Sequence, residues 1–357
     1  MRALAVHAGP RALQHLRERG LNAADVRVIP AAAGGPKGLV LNPLDRFLFG
    51  QWLASCGQTV HLLGASIGAW RMACAAMADP VKALAGMADD YILQDYPHAP
   101  GRAPTPRQVS EVFGQTLDQR LTPRAAEVLS NQRYRLHVFT SRGRGLLARE
   151  GRWRTPLGYG AAMALNLASR RFLGRTLERV VYSDGREQLP FPVTDYPTRV
   201  ARLSPGNLAS AVLASCSIPF WLEAVNDIPG GPAGAYWDGG ITDYHLHLDY
   251  ATMHDGLVLY PHFQSRVIPG WLDKVIKRRH RSSPALSNVV VLSPHPDWVR
   301  SLPSQKLPDR ADFKRFGDDL NARVANWRRA VAESERLADE FAELARPGRS
   351  IDALPLA

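Results

Sequence analysis

Short apolar runs alternate with helix-like spacings near the start of the chain. Residues 26–33 are β-branched and then small, which is typical of a strand that enters a tight loop. Residues 39–49 follow with apolar side chains at helical spacing, and residues 59–64 predict a second short strand. Residues 67–78 then predict a helix that ends before Asp79-Pro80, since the residue before a proline avoids helical backbone. This alternation predicts a parallel sheet covered by helices.

Later segments extend the same pattern. Residues 133–140 alternate like a strand and residues 288–292 form a short apolar run, whereas residues 208–215 favour a helix. Residues 156–169 carry no charge, which predicts either a buried helix or a lid over an apolar site. The predicted fold class is therefore α/β, with three α/β/α layers and a central, mostly parallel sheet.

The C-terminal region has the longest helical pattern. Apolar side chains recur at spacings of three and four between residues 309 and 345, which predicts one long helix with a bend at Gly317. We expect this helix to pack against the rest of the chain. The predicted division is an α/β domain over residues 1–305 and a helical extension over residues 306–357.

Composition is that of a globular protein, with 45% hydrophobic and 22% charged residues, and excludes a disordered or collagen-like chain. Residues 47–70 and 203–222 lack charge and are long enough to span a bilayer, but both hold glycines and polar side chains. We therefore expect them to be buried segments of a soluble protein. The three cysteines have no CxxC spacing, which argues against a disulfide framework and favours a reducing, cytoplasmic location.

Positive charge is concentrated in two segments. The net charge is +11, which favours anionic partners. Residues 102–154 hold eleven arginines against four acidic residues, and residues 266–281 hold six basic residues against one acidic residue. The second segment mixes Trp271, Leu272 and Ile276 with its basic side chains, as segments on anionic membranes do. We expect peripheral membrane contact and, without a recognisable motif, no nucleic-acid partner.

The sharpest chemical signal is the GxSxG sequence from Gly64 to Gly68. It directly follows a predicted strand and directly precedes a predicted helix. A nucleophilic serine on such a sharp turn leaves no room for side chains at the flanking positions, which is why both are glycine. The pattern predicts Ser66 as a nucleophile, although a glycine-rich turn that only packs a helix on a strand has the same sequence.

A second glycine-rich loop, Gly34-Gly35-Pro36-Lys37-Gly38, also lies between a strand and a helix. Consecutive glycines let backbone N–H groups point into a cavity, where they bind a phosphate or stabilise an oxyanion. The loop is not a Walker A motif, because GxxxxGK[ST] is absent, and it is not GxGxxG. A third signal is Asp238 between Trp237 and two glycines, a tight loop that can aim a carboxylate.

The sequence His245-Leu246-His247-Leu248-Asp249 alternates with period two. On a strand this would place His245, His247 and Asp249 on one face, as a polar surface or as a metal site. The spacing implies no further ligand, so we expect no metal, and no organic cofactor is implied either.

Taken together and in order, these motifs resemble the patatin-like phospholipase family. Members carry GGGx[KR]G, then GxSxG, then DG[GA]; the matching positions here are residues 33–38, 64–68 and 238–240. Residues 214–220 (ASCSIPF) are similar to the family's ASxxxP segment. The resemblance covers roughly residues 26–245. One position departs from it, since Ala33 stands where the family has the first glycine of its loop.

The resemblance implies a serine lipid acyl hydrolase of the phospholipase A or lysophospholipase type, acting on an acylated lipid through an acyl-enzyme. Ser66 would be the nucleophile and Asp238 its proton acceptor in a Ser–Asp dyad. The backbone amides of Gly34, Gly35 and Lys37 would hold the oxyanion, because Pro36 has no N–H. Burial of Asp238 would raise its pKa and make it a better base.

Two alternatives remain open. One is an esterase or thioesterase that uses a Ser-His-Asp triad, because six histidines follow Asp238 in the chain (His245, His247, His254, His262, His280 and His295). The other is a non-catalytic lipid-binding protein on the same scaffold, which the departure at Ala33 keeps open.

Overall fold

The computed structural model describes residues 1–96, 98 and 102–357. Within this part of the chain, eleven strands form one sheet. They are β1 (Leu4–Ala8), β2 (Val26–Ala31), β3 (Val60–Ala65), β4 (Tyr134–Gly143), β5 (Leu177–Ser183), β6 (Thr198–Arg202), β7 (Val225–Asn226), β8 (Ala235–Trp237), β9 (Leu257–Pro261), β10 (Val289–Pro294) and β11 (Leu354–Pro355).

The centre of the sheet is parallel and its flanks are mixed. The strand order is β11-β1-β10-β9-β2-β3-β4-β5-β6, and β8 pairs with β4 and β7 beside this row. Every neighbour from β10 through β9, β2 and β3 to β4 is parallel. Antiparallel pairs join β1 to β10, and β4 to both β5 and β8. The expectation of a mostly parallel sheet flanked by helices is confirmed.

The α-helices of the described residues fill the connections between these strands. They are α1 (Pro10–Arg19), α2 (Asn42–Phe47), α3 (Ile67–Ala75), α4 (Pro80–Ile92), α5 (Pro106–Leu121), α6 (Ala125–Ser130), α7 (Arg154–Ala168), α8 (Arg170–Leu173), α9 (Leu208–Cys216), α10 (Gly240–Asp243), α11 (Pro296–Ser301), α12 (Ala311–Phe316), α13 (Leu320–Glu333) and α14 (Glu335–Leu344).

The core sits on both faces of the sheet, because successive strand residues point to opposite sides. In β3, Leu62 joins the larger apolar cluster together with residues of α3, α4, α5 and α9. Its neighbour Leu63 joins the cluster on the other face, which includes Tyr244, Leu246 and Leu248 from the irregular segment after α10. A third cluster around Trp237 packs α7 and α8 beside β5 and β8. Residues that end the central strands are thereby held between two packed layers.

The predicted helix over residues 39–49 is irregular. A 3-10 helix spans Gly35–Leu41, α2 follows, and a π-helical turn spans Leu48–Trp52. The helix therefore starts within the glycine-rich loop rather than after it.

The single long helix predicted between residues 309 and 345 is wrong. The chain forms α12, α13 and α14 there, because Gly317 has φ +53° and ends α12 in left-handed backbone. Asp319 then caps α13, accepting a hydrogen bond from the Ala322 amide at 2.9 Å. After α14, the chain returns to the sheet, where β11 pairs with β1. The domain boundary between residues 305 and 306 stays a prediction.

Residues 47–70 and 203–222 contribute buried side chains to the larger cluster, as expected for core segments. Among the described residues, no helix has both the length and the hydrophobicity that crossing a bilayer requires.

Candidate active site

Ser66 lies on the sharp turn between β3 and α3. Its backbone has φ +56° and ψ −132°, a left-handed conformation that non-glycine residues rarely adopt. The Ser66 amide donates to the hydroxyl of Ser215 at 2.8 Å, and that hydroxyl donates to the Phe139 carbonyl at 2.6 Å. The strained turn is thus tied to β4 through one buried side chain.

The two glycines of GxSxG are required by close backbone approach. A Cβ atom on Gly68 would lie 1.9 Å from the carbonyl oxygen of Ala31 in β2. A Cβ atom on Gly64 would lie 2.3 Å from the Cα of Ala69 in α3. Neither position accepts a side chain without moving the backbone, so the motif brings α3 against the sheet and aims Ser66 away from it.

Ser66 and Asp238 form a buried hydrogen-bonded pair. The Ser66 hydroxyl donates to Oδ2 of Asp238 at 2.7 Å. The other carboxylate oxygen, Oδ1, accepts from the Gly240 amide at 2.7 Å. Ser66 is 3% and Asp238 6% exposed, so bulk water is largely excluded from the pair. The structure therefore brings together the two side chains that the motifs suggested, with the geometry of a nucleophile and its base.

Burial raises the pKa of Asp238 above the ordinary aspartate value, because an isolated carboxylate is costly away from water. The nearby Arg310 guanidinium, the Ser66 hydrogen bond and the Gly240 amide oppose this shift. The remaining rise makes Asp238 a stronger proton acceptor than a surface aspartate.

The segment before Asp238 holds its loop in place. The Asp238 amide donates to the Ser217 carbonyl at 2.8 Å, and the Gly239 amide donates to the Ser215 carbonyl at 3.0 Å. Ser215 therefore contacts both halves of the dyad, through its hydroxyl to Ser66 and through its carbonyl beside Asp238. The sequence offered only a soft signal for this role, the similarity of residues 214–220 to ASxxxP.

The glycine-rich loop borders the dyad. Gly35 has φ +56°, and a Cβ atom on Gly34 would lie 2.2 Å from the Phe263 ring, so both positions need glycine. In a 3-10 helix, each carbonyl accepts a hydrogen bond from the amide three residues later. Because this helix starts at Gly35, the Lys37 amide is directed toward the carbonyl of Gly34. The amides of Gly34 and Gly35 precede this first hydrogen bond, so the helix uses neither of them.

The departure at Ala33 removes no oxyanion donor. The Ala33 amide donates to the Tyr244 carbonyl at 2.9 Å, away from the dyad. Its methyl group lies against Gly240, where an added Cβ would approach it to 2.5 Å. The backbone geometry therefore gives no reason to expect that Ala33 weakens the loop.

In the described part of the chain, no histidine hydrogen-bonds to Ser66 or Asp238. Burial lowers the pKa of His245, and that of His262 to about 3, so both are neutral. His245 accepts a hydrogen bond from the Ile268 amide, and His262 accepts one from the Gln264 amide. His247 pairs with the Ser283 hydroxyl, and His280 pairs with the Asp273 carbonyl.

The strand predicted for residues 245–249 is wrong. Leu246 has φ +45° and the segment is irregular, so His245, His247 and Asp249 do not share a strand face. The described residues contain no cluster of three or more histidine, cysteine or carboxylate side chains that could hold a metal ion.

Two cavities meet at Ser66, and Ile218 and Arg310 border both of them. The larger cavity, of about 800 Å³, is lined by apolar side chains that include Val109, Phe113, Leu222 and Phe313, and its wall also holds the cations Arg102, Arg310, Lys314 and Arg323. The smaller cavity, of about 240 Å³, also holds Asp238 and Gly34 and has three cations in its wall (Lys37, Lys274 and Arg310). A substrate with one apolar and one polar part has a place on either side of the nucleophile.

The basic segment at 266–281, for which membrane contact stays a prediction, presents only part of its side chains to solvent, among them Val275, Lys277 and Arg278. Residues 271–275 and 277–280 form two short 3-10 helices. Leu272 and Ile276 are buried, and Trp271 and Lys274 line the smaller cavity. Arg279 is committed to a buried ion pair with Asp273 at 2.6 Å.

The sequence patterns did not identify Arg310 as a residue of the site. No local motif marks Lys274 or Arg310, because they reach the site only through long-range folding of segments that follow the matched motifs.

Comparison with models of known families identifies the same family as the motifs. A model of the Patatin-like phospholipase family matches residues 51–246, more than half of the chain. That span includes Ser66 and Asp238 and leaves the loop at Gly34 outside. Among solved structures, the crystal structure of VipD from Legionella pneumophila is similar, with 14% identity and a TM-score of 0.36 over 88% of this chain and 67% of that chain. No curated protein sequence matches the chain.

Proposed function

Since the chain belongs to the patatin-like phospholipase family, a family of lipid acyl hydrolases, we propose that it hydrolyses carboxylic esters of acylated lipids, as a phospholipase A or lysophospholipase, through a Ser66–Asp238 dyad. The observation that carries this proposal is the 2.7 Å hydrogen bond from Ser66 to Asp238 at the meeting point of two cavities. The absence of a histidine contact to this pair among the described residues favours the dyad over a triad.

In the acylation step, Asp238 takes the proton of Ser66 while Oγ attacks the ester carbonyl. The amides of Gly34 and Gly35 stabilise the negative charge on the carbonyl oxygen, with the Lys37 amide as a third candidate. Losing one such donor typically costs about 2.7–4 kcal/mol of transition-state stabilisation. The C–O bond then breaks, and Asp238 returns the proton to the leaving alcohol.

In the deacylation step, Asp238 accepts a proton from water as the water oxygen attacks the acyl-enzyme carbonyl. The same amides stabilise the second oxyanion. Collapse releases the fatty acid, and the proton on Asp238 returns to Ser66. The step needs no metal or organic cofactor.

The larger cavity suits the acyl chain. Val109, Phe113, Leu222 and Phe313 give its wall a large apolar part, and its volume of about 800 Å³ lies in the range of small-molecule sites. Burying methylene groups there supplies about 0.8 kcal/mol each, which favours long-chain over short-chain esters.

We further propose that the protein works on an anionic lipid surface, which it contacts through α7. The helix was expected to be buried or to form a lid, but one of its faces is exposed and almost wholly apolar. Trp153, just before the helix, is 71% exposed, and Leu157 and Leu167 are 62% and 51% exposed. The other exposed positions of residues 155–168 are Pro156, Gly160, Ala161, Ala164 and Ala168. A surface helix of a globular protein normally presents polar side chains to water.

The buried side of α7 lies beside the mouth of the site. Tyr159 of α7 packs edge-on against Phe220 at 5.8 Å, and Phe220 and Trp221 are about half exposed. Trp221 also lines the larger cavity. Lipid that contacts α7 is therefore close to the entrance of the proposed acyl site.

Positive charge surrounds this apolar face. Arg149 and Arg152 precede α7, Arg154 is its first residue, and Arg171 and Arg175 follow it. None of these five makes an ion pair with a carboxylate in the part of the chain that the structure describes. Charge complementarity and exposed aromatics together favour an anionic bilayer as the occupant.

A fluorophosphonate probe tests the catalytic proposal. We expect wild-type protein to be labelled at Ser66 and Ser66→Ala to lose both labelling and hydrolysis of monomeric esters while keeping its thermal midpoint. Ser204→Ala serves as the matched control, because Ser204 is not part of the dyad or its support. Labelling of Ser66→Ala at the wild-type level would contradict the assignment.

A further inference from the structure

Two buried donor groups in the wall of the larger cavity have no partner. Arg323 of α13 is 4% exposed and Gln94 is 9% exposed, and both residues line this cavity. Among the described residues, the Arg323 Nη1 and Gln94 Nε2 atoms have no hydrogen-bond acceptor. Buried polar groups of native proteins are nearly always hydrogen-bonded. Two such donors on one cavity wall therefore indicate a site for an acceptor that the chain itself does not supply.

The other polar atoms of these two side chains are engaged. Nη2 of Arg323 donates to the backbone carbonyl of Gln94. The guanidinium also lies between two rings, with its central carbon 4.6 Å from the centre of the Phe313 ring and 4.8 Å from that of Trp327. Oε1 of Gln94 accepts from the Tyr96 hydroxyl at 3.0 Å. These contacts hold both side chains in place while Nη1 and Nε2 stay available to donate.

Arg323 also lacks a counter-ion. In the part of the chain that the structure describes, no carboxylate lies within ion-pair distance of it. Two carboxylates line the same cavity, but Asp318 pairs with His98 at 3.7 Å and Asp95 is exposed on the surface. Desolvation lowers the pKa of Arg323, and Asp95 opposes this shift. Because a guanidinium stays charged at neutral pH, a positive charge remains buried in this wall without an anion.

The remaining cations of the larger cavity differ from Arg323 in their surroundings. Arg102 and Lys314 are exposed, so water solvates their charges. Arg310 lies where the two cavities meet, beside Ser66. Arg323 is thus the cation of this cavity that burial leaves most in need of an anion.

Aromatic side chains separate Arg323 from the dyad. The Tyr91 hydroxyl lies beside the glycine-rich loop, 3.5 Å from the place where a Cβ on Gly35 would stand. The centre of the Tyr91 ring is 6.3 Å from that of Trp327, and the Trp327 ring lies against the Arg323 guanidinium. A ligand that reaches from Ser66 to Arg323 must therefore have an extended apolar middle.

We propose that the larger cavity binds acyl chains that end in a carboxylate, with the ester carbonyl at Ser66 and the terminal carboxylate at Arg323 and Gln94. This inference rests on the proposed function and names a substrate class for it, the half-esters of dicarboxylic acids. The single negative charge of a carboxylate balances one buried guanidinium, and its two oxygens can accept from Nη1 and Nε2. A phosphate dianion would bring a second negative charge into the same buried place, which disfavours it.

The test compares two series of 4-nitrophenyl esters on the wild-type protein. One series carries dicarboxylic acyl chains and the other monocarboxylic chains of the same carbon number, from the hexanoyl to the dodecanoyl length, all below their critical micelle concentrations. In the monocarboxylic series kcat/KM should rise with length, since each added methylene is buried. In the dicarboxylic series it should peak at the length that reaches Arg323, where the terminal carboxylate gives about a 10–100-fold preference.

Two results would overturn the proposal. The first is a preference for the methyl-ended chain at every length. The second is a dicarboxylic preference of equal size at every length, because attraction to the exposed cations Arg102 and Lys314 at the cavity wall needs no particular chain length.

Variants identify the residues. Arg323→Met removes the charge and keeps a long side chain, so we expect it to abolish the preference by raising KM for the dicarboxylic ester, whereas Arg323→Lys should restore part of it. Gln94→Met removes the second donor and should reduce the preference. Arg328→Met is the matched control, because Arg328 is exposed on the same helix and does not line the cavity. A preference that survives in both Arg323→Met and Gln94→Met would contradict the site.

A binding measurement separates this inference from catalysis. By titration calorimetry, Ser66→Ala should bind the monoamide of at least one of the same dicarboxylic acids more tightly than the matching monocarboxamide, and adding Arg323→Met should remove the difference. Equal affinities at every length would contradict the carboxylate site whether or not the protein hydrolyses esters. Hydrolysis of either ester series by Ser66→Ala at the wild-type rate would overturn the catalytic proposal, whereas Ser66-dependent hydrolysis without a dicarboxylic preference would overturn only this inference.

Discussion

Ser66 holds a backbone conformation that by itself costs about 1–3 kcal/mol, and such strain persists only where the surroundings over-determine it. Three surroundings do so here. Gly64 and Gly68 let α3 and the sheet approach too closely for side chains, and the Ser215 hydroxyl takes up the Ser66 amide. The sequence pattern predicts the glycines, because their spacing is local. It gives only a soft signal for Ser215 and none for Lys274 or Arg310, because their roles depend on contacts between segments far apart in the chain.

Asp238→Asn tests the base at the same scale. Asparagine keeps the size of the side chain but cannot accept the Ser66 proton, so we expect kcat to fall by about 10²–10⁴-fold, the usual contribution of a positioned base. Members of one catalytic unit lose activity non-additively, so the double variant with Ser66→Ala should be no slower than either single variant. The measurement is steady-state hydrolysis of a monomeric ester.

Histidine variants provide the control for that experiment. His245→Ala and His247→Ala remove side chains that have no hydrogen bond to the dyad in the described structure. If either matched the loss in Asp238→Asn, a triad would replace the dyad as the proposed machinery.

The pH dependence of hydrolysis follows from Asp238 on the acid side. The carboxylate must be ionised to accept a proton, and burial raises its pKa above the ordinary value of about 3.9. Activity on a neutral ester should therefore fall, as pH is lowered, at a higher pH than an exposed aspartate would give. An acid limb at or below the ordinary aspartate value would contradict the raised pKa. The profile of kcat/KM against pH measures it.

At the scale of elements, periodicity predicted the type of structure better than its limits. The apolar spacing between residues 309 and 345 is helical, but Gly317 and the Asp319 cap divide it into α12, α13 and α14. The break has a consequence for the site, since the turn before α12 carries Arg310. The lack of charge in α7 identified an unusual helix but could not distinguish burial from exposure, because a buried face and a lipid-facing surface have the same composition.

Asp319→Ala tests the cap that starts α13. Loss of the hydrogen bond to the Ala322 amide should lower the free energy of unfolding by about 1 kcal/mol, the usual cost of losing an N-cap. Asp318→Ala is the matched control, because the Asp318 carboxylate is exposed, caps no helix and makes only a 3.7 Å ion pair with His98, of a kind that contributes little to stability. Chemical denaturation measures both, and equal losses in the two variants would mean that Asp319 does not act as a cap.

At the scale of the whole molecule, much of the positive charge that the sequence concentrates in residues 102–154 is neutralised by ion pairs. Arg107, Arg120, Arg124 and Arg135 pair with carboxylates, and Arg142 and Arg144 share Glu178. The charge left over in this region lies mainly at residues 149–154, beside the exposed apolar face of α7. Composition gives the total charge correctly, but only the fold shows which part of it is available to a partner.

The last prediction concerns this surface and lipid vesicles. Each basic side chain near an anionic membrane contributes about 1 kcal/mol, so Arg152→Gln with Arg154→Gln should weaken binding to anionic vesicles about 30-fold. Trp153→Gln with Leu157→Gln should weaken it by removing the apolar contact. Rising salt should weaken wild-type binding, since ions screen charges within about 10 Å at 0.1 M.

Lys277→Gln with Arg278→Gln is the control, because these exposed residues carry charge in the other basic segment and flank no exposed apolar helix. It should bind vesicles nearly as the wild type does. Sedimentation with vesicles measures the binding, and thermal midpoints check that each variant is folded. Equal binding to neutral and anionic vesicles, or a larger loss in the control than in the α7 variants, would show that α7 is not the membrane-facing surface. Charge and apolar contact at α7 together predict both that salt weakens binding and that the α7 variants lose most of it.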